Sequence, residues 1–172
     1  MRTWFARLVL PALLAWGGCT PHPAEPRPEL VSPAPALVAA APAEVTPAHL
    51  TRVRNLVRDT APDATAYQHS PTVVTWGSGT DGGATCRADC SGPMNELFKH
   101  TYELTDADLK AWLRSTRPLA RHYYNAIIAE RGFHRVGHID DLQPGDIMAI
   151  AYEPGAGNSG HVMVVDAAPE PE

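Results

Sequence analysis

The hydrophobic and polar positions divide the chain into three unlike stretches. Behind Arg2 and Arg7, residues 8–16 form a nearly unbroken apolar run. Residues 20–45 show no period at all and are dominated by Pro and Ala. From Thr46 onward the periodicity is that of a folded domain. Leu50, Val53, Leu56 and Val57 recur at helical spacing, which predicts an amphipathic helix from an N-cap at Thr46, with Pro47 in the first helical position, to about Arg58. Residues 72–76 are β-rich and predict a short strand, and the Gly-rich run 77–83 predicts an exposed loop. A helix is expected over 90–102. Another opens at Thr105, where Asp108 three residues on makes a capping-box-like start. Over 118–131, Leu119, Tyr123 and Ile127 share one helical face, with Gly132 as the stop.

After Gly132 the period shortens. Residues 146–152 and 161–165 are β-branched or apolar runs, joined by a loop holding Pro154, Gly155, Gly157 and Gly160, which reads as a hairpin. Helices followed by an antiparallel sheet predict an α+β domain. No internal repeat is visible.

Length and composition sharpen this picture. A chain of 172 residues holds one core plus appendages. With 14 Lys and Arg against 19 Asp and Glu the net charge is -5, and there is no basic stripe, which argues against nucleic-acid binding. Two arginines ahead of an apolar run too short to span a bilayer read as an export signal over residues 1–18, left out of fold reasoning. The segment ends Trp16, Gly17, Gly18, Cys19, which resembles the lipobox of bacterial lipoproteins and implies acylation of Cys19. Residues 19–45 then serve as a semi-rigid Pro/Ala-rich tether, 46–168 as the domain and 169–172 as an unstructured tail.

Two residues carry candidate chemistry. A cysteine is a nucleophile only as thiolate, and the unpaired N–H groups and dipole at a helix N-terminus favour that negative charge. Cys90 stands at such a start. Ser91 and Gly92 leave room for a substrate carbonyl, Pro93 is tolerated in the first turn, and the Cys90 N–H is placed to stabilise an oxyanion. His161 opens the last strand, where a side chain is held rigidly, and Gly160 before it permits close approach of another backbone. Of the eight histidines it has the clearest framing as a base. Cys86, four residues before Cys90, is read as a loop thiol; a zinc site on Cys86, Cys90 and His161 lacks a fourth ligand of recognisable spacing.

Taken in order, Asp89-Cys90-Ser91-Gly92, then Leu142-Gln143-Pro144-Gly145-Asp146 leading into a strand, then Gly160-His161-Val162 resemble the three landmarks of the NlpC/P60 family of papain-like cysteine peptidases. The resemblance covers roughly residues 67–168. It implies that a helix carrying Cys90 packs on an antiparallel sheet carrying His161, and that the substrate is an amide bond in peptidoglycan stem peptides. In this reading Pro144 and Gly145 turn the chain and Asp146 bonds nearby backbone N–H groups. The sequence departs from the family at Pro93, where a large apolar residue is usual, and in lacking a clean upstream tyrosine: residues 73–77 lie in its place, with Tyr67 or His69 as the substitutes on offer. It also has no strand after His161 to supply a polar residue that orients the imidazole. Asp166, five residues on, falls on the opposite face of a continuous strand. The domain is therefore expected to be C-terminally incomplete, with the His161 strand an exposed edge.

The sequence thus predicts an envelope-located cell-wall hydrolase working through Cys90 and His161, without cofactor or metal. It is expected to be monomeric, anchored to the membrane through a lipid on Cys19 or else secreted, with peptidoglycan peptides as partners and no nucleic acid. The rival expectation is a non-catalytic envelope-binding lipoprotein that keeps the same fold.

Overall fold

The computed structural model describes residues 2–8, 46–77 and 83–169. Cys19, the tether 19–45, most of the loop 77–83 and residues 170–172 lie outside them. The elements run β1 (Arg2–Leu8), α1 (Ala48–Asp59), β2 (Thr60–Ala66), β3 (Val73–Thr75), β4 (Ala84–Arg87), α2 (Ser91–Tyr102), α3 (Asp106–Leu113), α4 (Ala120–Ile128), β5 (Phe133–Val136), a short 3₁₀ turn (Ile139–Asp141), β6 (Ile147–Ala151) and β7 (Gly160–Val164). The fold is α+β. Its larger sheet has the order β5-β1-β6-β7 with every neighbour antiparallel, and a smaller sheet has the order β2-β4-β3.

The first strand is part of the larger sheet. Arg2–Leu8, set aside above as part of a leader, lies between β5 and β6 and pairs with both. Ala6 is fully buried in the core, and Arg7 reaches Asp146 with two guanidinium bonds of 3.1 and 3.3 Å. The compact unit accordingly joins residues 1–10 to 46–172, instead of starting at Thr46. The reason is pairing. β5 and β6 each present a row of backbone N–H and C=O groups to the gap between them, and the backbone of Arg2–Leu8 fills it.

Sequence patterning accounts for most of the other elements. The Thr105 hydroxyl accepts the Asp108 N–H while the Asp108 carboxylate accepts the Thr105 N–H, so α3 opens on a true capping box. By contrast α1 has Pro47, not Thr46, at its N-cap and no side-chain cap. Its buried residues are His49, Leu50 and Leu56, while Val57 is 73% exposed, because the helix packs against α2 along a narrower face than the four apolar positions suggested. α4 stops at Ile128, before the predicted Arg131. Gly132 instead serves the turn into β5, with φ +71° and the Trp112 ring pressed against its Cα.

The core lies between the larger sheet and the helices. Met94, Leu97 and Phe98 of α2, Leu109 and Leu113 of α3, and Tyr123 and Ile127 of α4 meet Ile147, Ala149 and Val162 of the sheet. α4 covers β1, β6 and β7, whereas α2 reaches the sheet chiefly at its edge strand β7. The landmark at 142–146 is structural as expected. Gly145 has φ +94° and donates to Val165 O at 2.7 Å, and the Asp146 carboxylate accepts the Gln143 N–H at 2.9 Å. Among the described residues no helix is long and apolar enough to cross a membrane.

Candidate active site

Asp89 holds the start of the Cys90 helix. Its Oδ1 accepts the Ser91 N–H at 3.0 Å, the Gly92 N–H at 2.8 Å and the Ser91 hydroxyl at 2.9 Å. Two of the unpaired donors of α2 are thereby satisfied. Cys90 itself makes no capping bond. Gly92 is required for packing, since a Cβ there would stand 2.7 Å from Thr72 Oγ1 and 2.8 Å from Ala88 Cβ. Pro93 occupies the first turn of the helix, where its missing N–H costs no intrahelical bond.

The Cys90 side chain is half-buried against the free side of β7, with Sγ 3.9 Å from Gly160 O. Gly160 has φ +131°, and a Cβ on it would overlap the Ile150 carbonyl oxygen, so only glycine lets β7 approach β6 so closely at this point. Burial pushes the Cys90 thiol up. The Val162 backbone opposes this, the Asp89 carboxylate reinforces it, and the N–H groups of Cys90 and Ser91 recover only part. The direction is the reverse of the depressed thiol expected from the helix terminus, because desolvation outweighs the favourable bonds there.

His161 is the second residue of β7, pairs across the ladder with Ile150, and is exposed between buried Gly160 and Val162. The pleat turns its side chain to the other face of the strand from theirs. Among the described residues no hydrogen bond joins it to Cys90. Cys90 thus rests against β7, the strand that carries His161. Asp166, the one nearby orienter considered above, is exposed and bonds Arg54 of α1, by Nε to Oδ1 at 2.7 Å and by Nη2 to its own carbonyl at 2.6 Å. Cys86 is a free thiol on β4, pushed up by burial. Among the described residues no group of three or more His, Cys, Asp or Glu could hold a metal ion.

Cys90 opens onto a cavity of about 520 Å³ walled by Tyr67, His69, Asp89, Tyr124 and the β6–β7 loop. His161 is not among its lining residues. His69 places Nδ1 3.5 Å from Asp89 Oδ2, and Arg117 Nη2 stands 3.9 Å from the same oxygen. Burial works to raise the Asp89 carboxyl, but the bonds from Gly92, Ser91 and His69 together outweigh it and hold the group below the usual carboxylate range. From sequence, His69 stands in a loop as a substitute for the family's upstream tyrosine and not as a base. One signal for Asp89 was present: an Asp two and three residues before the first N–H groups of a helix is a capping position.

No family model matches this chain, and no solved structure matches it. It is similar to the uncharacterized protein R653 of Acanthamoeba polyphaga mimivirus, with 38% identity over 110 residues that make up 62% of this chain and 48% of that protein. The chain spans about half the length of the curated relative it matches.

Proposed function

We propose that the chain is a papain-like NlpC/P60 cysteine hydrolase that cleaves amide bonds in peptidoglycan stem peptides. The observation that carries this reading is Cys90 at the N-terminus of α2, at the wall of a cavity of about 520 Å³ and against the edge of an antiparallel sheet. Cys90 attacks the amide carbonyl after giving its proton to a histidine, and that histidine later protonates the leaving amine. The sequence landmarks nominate His161 for that part. Incubating the purified chain with muropeptides, beside Cys90→Ala and His161→Ala, tests the proposal. Loss of turnover in Cys90→Ala supports it, and equal turnover in all three overturns it.

A second reading, a non-catalytic envelope-binding module, draws on the raised thiol and on the exposed His161 that makes no bond to Cys90. It predicts binding of cell-wall fragments without cleavage and a Cys90 no more reactive than free cysteine. The envelope location belongs to the same proposal, and the sheet sets a condition on it. Cleavage before Cys19, needed for acylation there, would take β1 out from between β5 and β6. The intact mass of the protein recovered from its native cells separates a retained N-terminus from a processed one.

A further inference from the structure

We infer that His69, oriented by Asp89, is the catalytic base and acid that serves Cys90. This rests on the reading of Cys90 as the nucleophile and names a residue that the sequence landmarks do not.

β2 and β4 run parallel with Thr65 opposite Cys86 and Ala66 opposite Arg87, an offset continued by the bond from Ala88 N–H to Ala66 O at 3.0 Å. His69 and Cys90 each stand three residues past the end of this ladder, and His69 Nδ1 lies 3.5 Å from Oδ2 of Asp89, the residue before Cys90. The side chains agree with the backbone, since His69, Asp89 and Cys90 wall one cavity. Asp89 is locked by three bonds to its Oδ1, which leaves Oδ2 facing His69 Nδ1. A carboxylate accepting from Nδ1–H fixes the tautomer whose Nε2 carries the lone pair, and it stabilises the imidazolium formed when that lone pair takes a proton. The Tyr67 ring stands edge-on to the imidazole, with centroids 5.4 Å apart and planes at 79°.

The steps balance without a further co-reactant than water. His69 takes the Cys90 thiol proton, the thiolate forms a C–S bond to the amide carbon, and the carbonyl electron pair moves to oxygen. Collapse of that oxyanion breaks the C–N bond as His69 returns its proton to the amine. Water, deprotonated by His69, then attacks the thioester and releases the thiol.

The test reads Cys90 directly. Trypsin cuts after Arg87, so Cys86 and Cys90 fall on different peptides and the alkylation of Cys90 by iodoacetamide is followed by mass spectrometry across pH. The ionisable groups facing His69 are Asp89, Arg117 and Tyr67, with Arg121, Tyr124 and Glu153 on the same cavity. Because the His69 side chain is 74% exposed, His69→Gln leaves the core untouched. It is expected to slow Cys90 alkylation at neutral pH by about tenfold and to shift the profile upward, and to lower turnover of muropeptides about 10²-fold. His161→Gln should leave the alkylation profile in place. The inference is overturned if His69→Gln alkylates like the parent, or if His161→Gln alone shifts the profile. Either result leaves the hydrolase reading intact so long as Cys90→Ala abolishes turnover; turnover that survives Cys90→Ala removes that reading separately.

Discussion

If β1 is a structural strand, its one described ion pair should matter to stability, and Arg7→Ala is the perturbation that isolates it. Arg7 meets Asp146 through two parallel bonds, Nε to Oδ1 at 3.1 Å and Nη2 to Oδ2 at 3.3 Å. Asp146 is 2% exposed and Arg7 47%. Without Arg7 the Asp146 carboxylate keeps, among the described residues, the Gln143 N–H as its one hydrogen-bond partner. Breaking a fully buried pair costs about 3–5 kcal/mol and an exposed one about 0–1. A pair with one buried and one half-exposed member falls between, at about 2 kcal/mol. For a chain of this length that corresponds to a fall in Tm of about 4–8 °C. Arg7→Lys should recover only part, since an ammonium cannot match both carboxylate oxygens. Asp146→Ala costs more than Arg7→Ala because it also frees the turn at Gln143, and the double variant should cost less than the sum, with a coupling of about 1–2 kcal/mol. Urea denaturation of the four proteins measures the cycle. A Tm for Arg7→Ala within about 1 °C of the parent, with no coupling, would show that β1 does not sit between β5 and β6 in solution.

His49 is buried, with Nε2–H donating to Gly145 O and Nδ1 accepting from the Tyr102 hydroxyl, both at 2.7 Å, and burial lowers its pKa below the ordinary 6.5. The unfolded chain therefore binds the proton first as pH falls, so this stabilisation is complete above about pH 7 and declines below 6.5. Urea midpoints measured from pH 7.5 to 5 should fall, and His49→Gln should flatten that slope; an unchanged slope refutes the assignment. Tyr123→Phe removes the donor to Asn95 Oδ1, a bond of 2.6 Å inside the core, and should destabilise by about 1–3 kcal/mol in thermal melts. Gly160→Ala should unfold the chain or cost more than about 3 kcal/mol, because its Cβ overlaps the Ile150 carbonyl, whereas Gly137→Ala, in open space, should be near neutral by the same melts.

What the sequence revealed follows the range of the interactions involved. The capping box at Thr105 and Asp108 and the β6–β7 hairpin depend on residues close in the chain, and both were legible. The second sheet was not, because β2 and β4 pair in parallel across more than twenty positions and the β2 segment TAPDATA has little strand propensity and mostly exposed side chains. The site divides the same way. Asp89, Cys90 and Ser91 are neighbours and were visible as a motif, while His69 reaches them only through that non-local parallel register. A lowered thiol pKa was inferred from the helix terminus alone; burial against β7, which no local pattern shows, reversed its sign.

β1 was the hardest segment to read because its composition satisfies two physical demands at once. A short basic segment leading into an apolar run suits export, and an apolar position at Ala6 beside a polar one at Arg7 suits a strand with one buried face. The sheet meets the second demand. Ala6 is enclosed and Arg7 pairs with a carboxylate that has been taken almost wholly out of water. That carboxylate, Asp146, also accepts from Gln143 in the turn that launches β6, and the same turn donates from Gly145 to Val165 just past β7. The N-terminal strand, the 142–146 turn and the strand against which Cys90 rests are therefore one connected support. Processing that removed the first of these would act on the other two, so the fate of the N-terminus and the competence of the Cys90 site are linked through Asp146.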